Sequence, residues 1–463
     1  MSKDPALREA VLSWLEHAGG VSPKSQSPGM LMLQPHWEDV VAAAAAAAPR
    51  DEHPDLYTLG KGDGTLNQWT LLVESGLAYA AGLIAVGAPL SLAGVADDFV
   101  AFCTGPAPVA ERWLLLNGTF PLGTRIPLGQ YTLQTFTAEE LLKSVPMPAL
   151  HSIQPWSHAL DIITGAPFLH LPEPGHRVTR SPDRSDATGP HPEAQHWQAL
   201  LPLMLWDEEL LQVDSVFTVA RGRYFDLNHQ DVPTRQGQHT GDAETEVRAT
   251  GDFRVQAADL PALTAFCTTI SAKIDAVMVG RTHSRRIPKE RAQRLQDAAT
   301  RLLDAYRRTR HHDSVGETDY GKLLLDYVVC LELLLRSSND RGGRGISSTL
   351  QTRASALFLS PEEQNHVRAL TREAYNARSC YAHGRAMKEQ TEKEQQEKLQ
   401  AVRILTQKVI LRWLILTPSG PEDLATLLDA APGPGREEHI HQPLRIFFTT
   451  TPPRRRPADI ALA

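Results

Sequence analysis

A chain of 463 residues with 42% hydrophobic side chains carries enough apolar material for more than one globular core, and two domains are expected. No run approaches the eighteen or more apolar residues of a membrane span, and MSKDPALREAVLSWLEHAGG at the start reads as a short amphipathic helix instead of a signal peptide, so the expectation is a cytoplasmic protein with no membrane partner. The net charge of -7 excludes a chain that is basic throughout but leaves room for a local basic patch.

In chain order, residues 1–255 read as an α+β regulatory or recognition domain of no nameable family. An alanine-rich helix is expected around Val40 to Ala48, followed by an apolar stretch from Leu71 to Val86. From Trp113 to Phe136, Asn117-Gly118 and other glycine turns separate short apolar runs, as in antiparallel strands. Leu171 to Gln195 and Asn228 to Gly251 are polar loops, and strand-like sequence is expected at Ala199 to Leu205 and at Val213 to Phe225.

After about Ala257 the periodicity turns helical, and residues 256–431 read as an all-α bundle. Glu290 to Arg308 is amphipathic, whereas Asp319 to Arg336 is apolar nearly all round and must be central. A shorter helix follows at Ser347 to Leu359. Ser360-Pro361-Glu362-Glu363 supplies an N-cap serine, a proline at N1 and a glutamate at N3, opening a helix that runs to His383 and stops at Gly384. A last long helix covers Glu392 to Leu416. The tail, 432–463, is expected to be disordered apart from a short strand-like Leu444 to Phe448.

Several residue sets carry possible chemistry. The four cysteines, Cys103, Cys267, Cys330 and Cys380, form no CxxC or Cys/His spacing, and neither His311-His312 nor His439 with His441 has a third convergent ligand in sequence, so no metal and no cofactor are expected. Arg281 to His312 holds ten Arg and Lys residues, including Arg285 and Arg286, against Glu290, Asp297 and Asp304, a surplus suited either to a phosphate backbone or to a solvated helix face. Arg341-Gly342-Gly343-Arg344-Gly345 lacks the Lys-Ser/Thr ending of a P-loop and reads as a flexible basic loop near nucleic acid. Glu332 lies in an apolar helix, so its burial calls for a partner among Arg353, Arg336 and Arg378. Arg378 and His383 stand about 140° apart round a helix and about 7.5 Å along it, so the arginine has to reach round to meet the histidine.

Three stretches in this order, Leu331-Glu332-Leu333-Leu334, Gln351-Thr352-Arg353-Ala354 and Tyr375 to Gly384, resemble the ApeA-like HEPN family. The family signature is an arginine, four to six residues and a histidine at a helix end, here Arg378-Ser379-Cys380-Tyr381-Ala382-His383-Gly384; position 379 is Ser where many members have Asn, Asp or His. The resemblance covers the C-terminal part alone. It implies a HEPN bundle that dimerises so that two motif helices face one cleft, and a metal-independent endoribonuclease acting in antiviral, anti-phage defence. In that reading His383 does general acid/base work and Arg378 binds phosphate and stabilises charge, with Ser379, Tyr381, Glu332 and Arg353 in support and Arg285, Arg286, Arg341, Arg344 and Arg385 on RNA. The partners implied are RNA and a second copy of the chain, with an unknown trigger acting on the N-terminal domain. The alternative is a non-catalytic HEPN module that dimerises or binds RNA, with Arg378 and His383 kept for packing.

Overall fold

The computed structural model describes residues 4–21, 28–48, most of 65–137, most of 165–177, 196–207, most of 211–227, 253–282, 286–312, 320–337, 340, 345–383, 391–417 and most of 424–454. It is mainly helical with one antiparallel-paired sheet. Two compact units are present: Met1–Arg125, Tyr131–Gly189 and Val213–Thr250 form the first, and Ile126–Gln130, Pro190–Gln212 and Gly251–Ala463 the second.

The first unit opens with α1 (Pro5–Ala18), α2 (Pro28–Leu31), α3 (Trp37–Ala47), α4 (Leu77–Ala85) and α5 (Leu92–Thr104). Asp4 caps α1 by accepting from the Leu7 N–H at 3.0 Å, and Pro5 at N1 has no N–H to leave unpaired. The α1 stripe of Leu7, Val11, Trp14 and Leu15 is buried, and Trp14 meets Trp37 of α3 with ring centres 5.4 Å apart. The strands are β1 (Val109–Asn117), β2 (Arg125–Leu128), β3 (Tyr131–Thr135), β4 (Pro167–Arg177), β5 (Gln212–Ala220) and β6 (Arg223–Leu227), in sheet order β2-β3-β4-β1-β5-β6. β4 runs antiparallel to both neighbours, pairing Leu169 with Leu114 and Leu133. Alternating burial along β2 and β3 is the period-2 pattern of strands packed on one face.

The second unit holds α6 (Trp197–Trp206), α7 (Leu260–Met278), α8 (Arg286–His312), α9 (Tyr320–Leu335), α10 (Ile346–Ala356), α11 (Pro361–Ala382), α12 (Glu392–Leu416) and α13 (Leu424–Asp429). A further helical run, α14, covers 434–450 with one π turn at Glu437–His441. As the sequence requires, α9 is central: Leu323, Leu324, Tyr327, Val328, Leu331, Leu334 and Leu335 are all buried, and it packs against α8, α11 and α12. The Trp413 indole N–H donates to Leu334 O at 3.1 Å, satisfying a carbonyl of the last α9 turn. Gln407 on α12 donates to Met204 O at 2.7 Å at the C-terminal end of α6, which fixes α6 to the bundle.

Four sequence expectations are corrected. Ala199 to Leu205 is helix, because α6 is buried on all sides and a continuous apolar run has no period to tell helix from strand. Residues 434–450 are helical, neither disordered nor strand: Ile440, Leu444 and Phe447 are buried, and Phe447 packs edge-on against Phe266 of α7, so tertiary burial orders a segment of weak local propensity. The expected division at residue 255 is interrupted, since Pro190–Gln212 belongs with the second unit. β4 also extends through Arg177, into the first part of the expected 171–195 loop; the rest of that loop and the 228–251 loop fall outside the described residues. Among the described residues one helix, 257–282, is long and apolar enough by composition to cross a membrane, and its face of Leu263, Phe266, Ile270 and Ile274 is packed inside the second unit.

Candidate active site

The helix that carries the Arg/His motif, α11, begins where the sequence places it. The Ser360 hydroxyl accepts from the Glu363 N–H at 3.1 Å while Glu363 accepts from the Ser360 N–H at 3.4 Å, so two donors of the first turn are satisfied reciprocally. Val367, Thr371 and Ala374 face the core. Past them Tyr375, Arg378, Ser379, Cys380 and Tyr381 are half-buried, and Ala382 and His383 are exposed.

Arg378 folds back along its own helix. Its Nη2 lies 3.7 Å from Glu332 Oε2 and its guanidinium carbon 5.7 Å from the centre of the Tyr375 ring, while its Nε is buried with no hydrogen-bond partner among the described residues. Helical side chains lean toward the N-terminus, so this conformation carries the charge away from His383. Of the three arginines the sequence offered to Glu332, Arg378 is the one paired with it, and the ion pair is partly shielded, with side chains 24% and 14% exposed.

His383 occupies the C-cap of α11. Its φ of -104° and ψ of 10° take it off the helical path while its N–H still donates to Ser379 O at 3.2 Å, so the 140° wheel separation from Arg378 no longer fixes where the imidazole points. The ring is exposed and makes no hydrogen bond among the described residues. Two residues earlier, Tyr381 lies close against Gly321 on α9: a Cβ built on Gly321 would stand 2.1 Å from Tyr381 Cδ2. The absence of a side chain at 321 therefore sets how closely the last turn of α11 approaches the central helix. On the same face, Lys398 of α12 stands 3.5 Å from Glu373, and burial together with the Glu373 charge pushes the Tyr320 phenol up to about 12.

The remaining sequence candidates separate. Arg353 is buried and holds a different junction: it donates to Asp340 at 2.6 and 2.9 Å, to Asp429 at 2.8 and 2.6 Å, and to Leu335 O at 2.7 Å, tying the end of α9 to α10 and α13. Burial opposes its charge, but the two carboxylates outweigh that and hold its pKa above the usual arginine value. Arg286 is exposed and paired with Glu290 at 2.5 Å. Within the basic segment, Arg291 donates to Thr417 O, Arg294 to Arg336 O, and Arg301 lies 3.3 Å from the buried Asp326, so those three cations serve packing and helix ends. Arg281 and Lys289 are exposed. Arg285, Arg341, Arg344, Gly384 and Arg385 lie outside the described residues, as do the side chains of Arg307, Arg308 and Arg310. Among the described residues no three His, Cys, Asp or Glu side chains gather in a metal-ligating group.

Sequence reasoning missed Gly321 and Tyr375. A lone glycine inside an apolar helix is a readable sign of close packing, whereas nothing in sequence shows that the Tyr375 ring lies under Arg378. No protein-family model, no curated protein and no solved structure matches the chain.

Proposed function

We propose that the second unit is a HEPN-type, metal-independent endoribonuclease of the ApeA-like kind, with His383 and Arg378 as its reacting pair and RNA cleavage in anti-phage defence as its role. The observation that carries this is an exposed imidazole at the end of α11, one and a half turns beyond an arginine that, among the described residues, is held by a 3.7 Å ion pair and an aromatic face. Histidine titrates near neutrality and can move a proton, and a guanidinium remains charged and can present two donors to phosphate oxygens. The ribose 2′-oxygen attacks the adjacent phosphorus, its proton is removed, the bond from phosphorus to the 5′-oxygen breaks, and that oxygen takes up a proton. His383 serves one of these proton transfers, and Arg378 stabilises charge on the non-bridging oxygens. Products are a 2′,3′-cyclic phosphate and a 5′-hydroxyl.

Because Arg378 turns away from His383 within one chain, the proposed cleft is completed by a second copy, as a symmetric dimer with two motif helices face to face. The proposed restraint on such an enzyme is the first unit, and an unidentified signal acting on it is the proposed trigger. End-group analysis of cleaved RNA tests the chemistry: cyclic phosphate ends are expected, with no cleavage of a 2′-deoxy substrate and no effect of EDTA. Cleavage of the deoxy strand, or a strict need for added divalent metal, contradicts it.

The second reading, a non-catalytic dimerising or RNA-binding module, is favoured by one observation. The Arg378 guanidinium is already engaged by Glu332 and Tyr375, as a packing residue would be. Glu332→Gln separates the two, because it frees a phosphate-binding arginine but unsettles a packing one.

A further inference from the structure

We propose that His17 and His36 form a two-imidazole binding site for a divalent transition metal of the zinc or copper class, in the first unit and independent of the ribonuclease reading. His17 closes α1 and His36 opens α3, and their ring centres are 4.9 Å apart at an interplanar angle of 58°. His17 Nδ1 lies 2.8 Å from Ser13 O, a carbonyl that can only accept, so in the uncharged ring the hydrogen is on Nδ1 and the lone pair on Nε2. His36 Nδ1 lies 3.0 Å from Asp39 Oδ2, and a carboxylate fixes the same tautomer. Both rings therefore direct an Nε2 lone pair away from their anchors. Pairing of the other ring nitrogen with a carbonyl or a carboxylate is the arrangement that orients metal-ligating histidines and raises their basicity.

Packing does not account for the pair. Both imidazoles are exposed, and the hydrophobic contact between α1 and α3 is made beneath them by Trp14 and Trp37, which are 0% and 2% exposed. Those indoles meet with ring centres 5.4 Å apart, and each is anchored by its N–H, Trp14 donating to Leu31 O at 3.3 Å and Trp37 to Gln68 Oε1 at 2.9 Å. His36 is also the one non-glycine residue at positive φ among the described residues, at 68°, a left-handed conformation uncommon for side-chain-bearing residues. Two Zn–N bonds of about 2.0–2.1 Å at a tetrahedral ion place the nitrogens about 3.4 Å apart, and two imidazoles sharing such an ion have their ring centres on the order of 5 Å apart, the spacing found between His17 and His36. Water completes the coordination, and the exposed Glu16 and Glu38, one and two positions from the histidines in sequence, add negative charge on the two helix ends that favours a cation.

The test is titration of tag-free, full-length protein with Cu²⁺, followed by electron paramagnetic resonance for nitrogen coupling and by calorimetry for stoichiometry, with Zn²⁺ as competitor. One tight equivalent with two imidazole nitrogens is expected. His17→Gln and His36→Asn, the latter chosen because asparagine tolerates the left-handed backbone, should each remove that equivalent, and the double variant should remove no more. Asp39→Asn should keep the stoichiometry and weaken binding about tenfold or more, which keeps the proposal testable if a histidine variant folds poorly. His439→Gln should change nothing. Retention of the equivalent in either single variant, loss of separate equivalents that add in the double, or unchanged affinity in Asp39→Asn would overturn the site.

Discussion

Gly321→Ala adds a single methyl group where Tyr381 of α11 rests on α9. The built Cβ meets Tyr381 Cδ2 at 2.1 Å, Cγ at 2.6 Å and Cε2 at 2.7 Å, all well inside ordinary contact. Because Cγ is among the atoms struck, rotating the ring is insufficient, and the Tyr381 backbone or the helix must move. Overpacking of this kind costs about 1–3 kcal/mol, offset by the roughly 0.5–1 kcal/mol that alanine gains over glycine inside a helix. The expected net loss in urea unfolding is about 0–2.5 kcal/mol, with the last turn of α11 displaced and His383 moved with it. RNA cleavage should therefore fall by a larger factor than stability alone explains. Removing the ring in Tyr381→Ala should abolish the penalty of the added methyl, giving a coupling of about 1–3 kcal/mol in the double-mutant cycle. A Gly321→Ala protein that is more stable than wild type, with no coupling to Tyr381, would refute the contact.

Glu332→Gln removes the carboxylate paired with Arg378; RNA binding at low salt is expected to tighten severalfold, with stability changed by less than about 1 kcal/mol for so loose a pair. A clear loss of stability with RNA binding unchanged would favour the packing role for Arg378. Arg353→Met leaves Asp340 and Asp429 facing each other without their cation, and should cost about 3 kcal/mol, the low end for a broken buried pair because Asp429 is 47% exposed. Burial raises the Asp340 carboxyl, but the Arg353 hydrogen bonds and the Ser337 N–H outweigh it and hold its pKa below the usual aspartate value. A depressed carboxylate stabilises the fold above its unfolded pKa of about 3.9, and that stability is lost as pH falls through the folded value. The difference between wild type and Arg353→Met should therefore shrink below about pH 4; a difference independent of pH would contradict the linkage. Light scattering at micromolar concentration should find a dimer, and a strict monomer with full cleavage activity would remove the two-copy cleft.

What the sequence revealed followed from local chemistry. Ser360, Pro361 and Glu363 mark the start of α11 without reference to any other part of the chain, and the apolar circumference of α9 announces a central helix. A second capping box, Thr391 with Glu394, opens α12 and is equally readable. Where partners are distant in sequence, residue types narrowed the choice without making it. Glu332 had three arginines to choose from, and Arg353 is held by Asp340 and Asp429, 13 and 76 positions away, which no local pattern links. Segments 197–206 and 434–450 failed for opposite reasons. The former is so apolar that it has no period, whereas the latter has an irregular pattern and is a helix whose Phe447 packs on Phe266 and whose Leu444 is buried, tertiary contacts that no local pattern announces. For the candidate site, the place of Arg378 and His383 at the end of α11 was legible and the conformation of Arg378 was not, because it depends on Tyr375 and Glu332 together.

The most direct measurement compares cleavage of total RNA by full-length protein, Arg378→Ala and His383→Ala at equal concentration, with circular dichroism confirming that each variant keeps its helices. Loss of either member of a proton-transferring and charge-stabilising pair should lower the rate by on the order of 100-fold or more. Cleavage retained by both folded variants would contradict the assignment of Arg378 and His383 as the site.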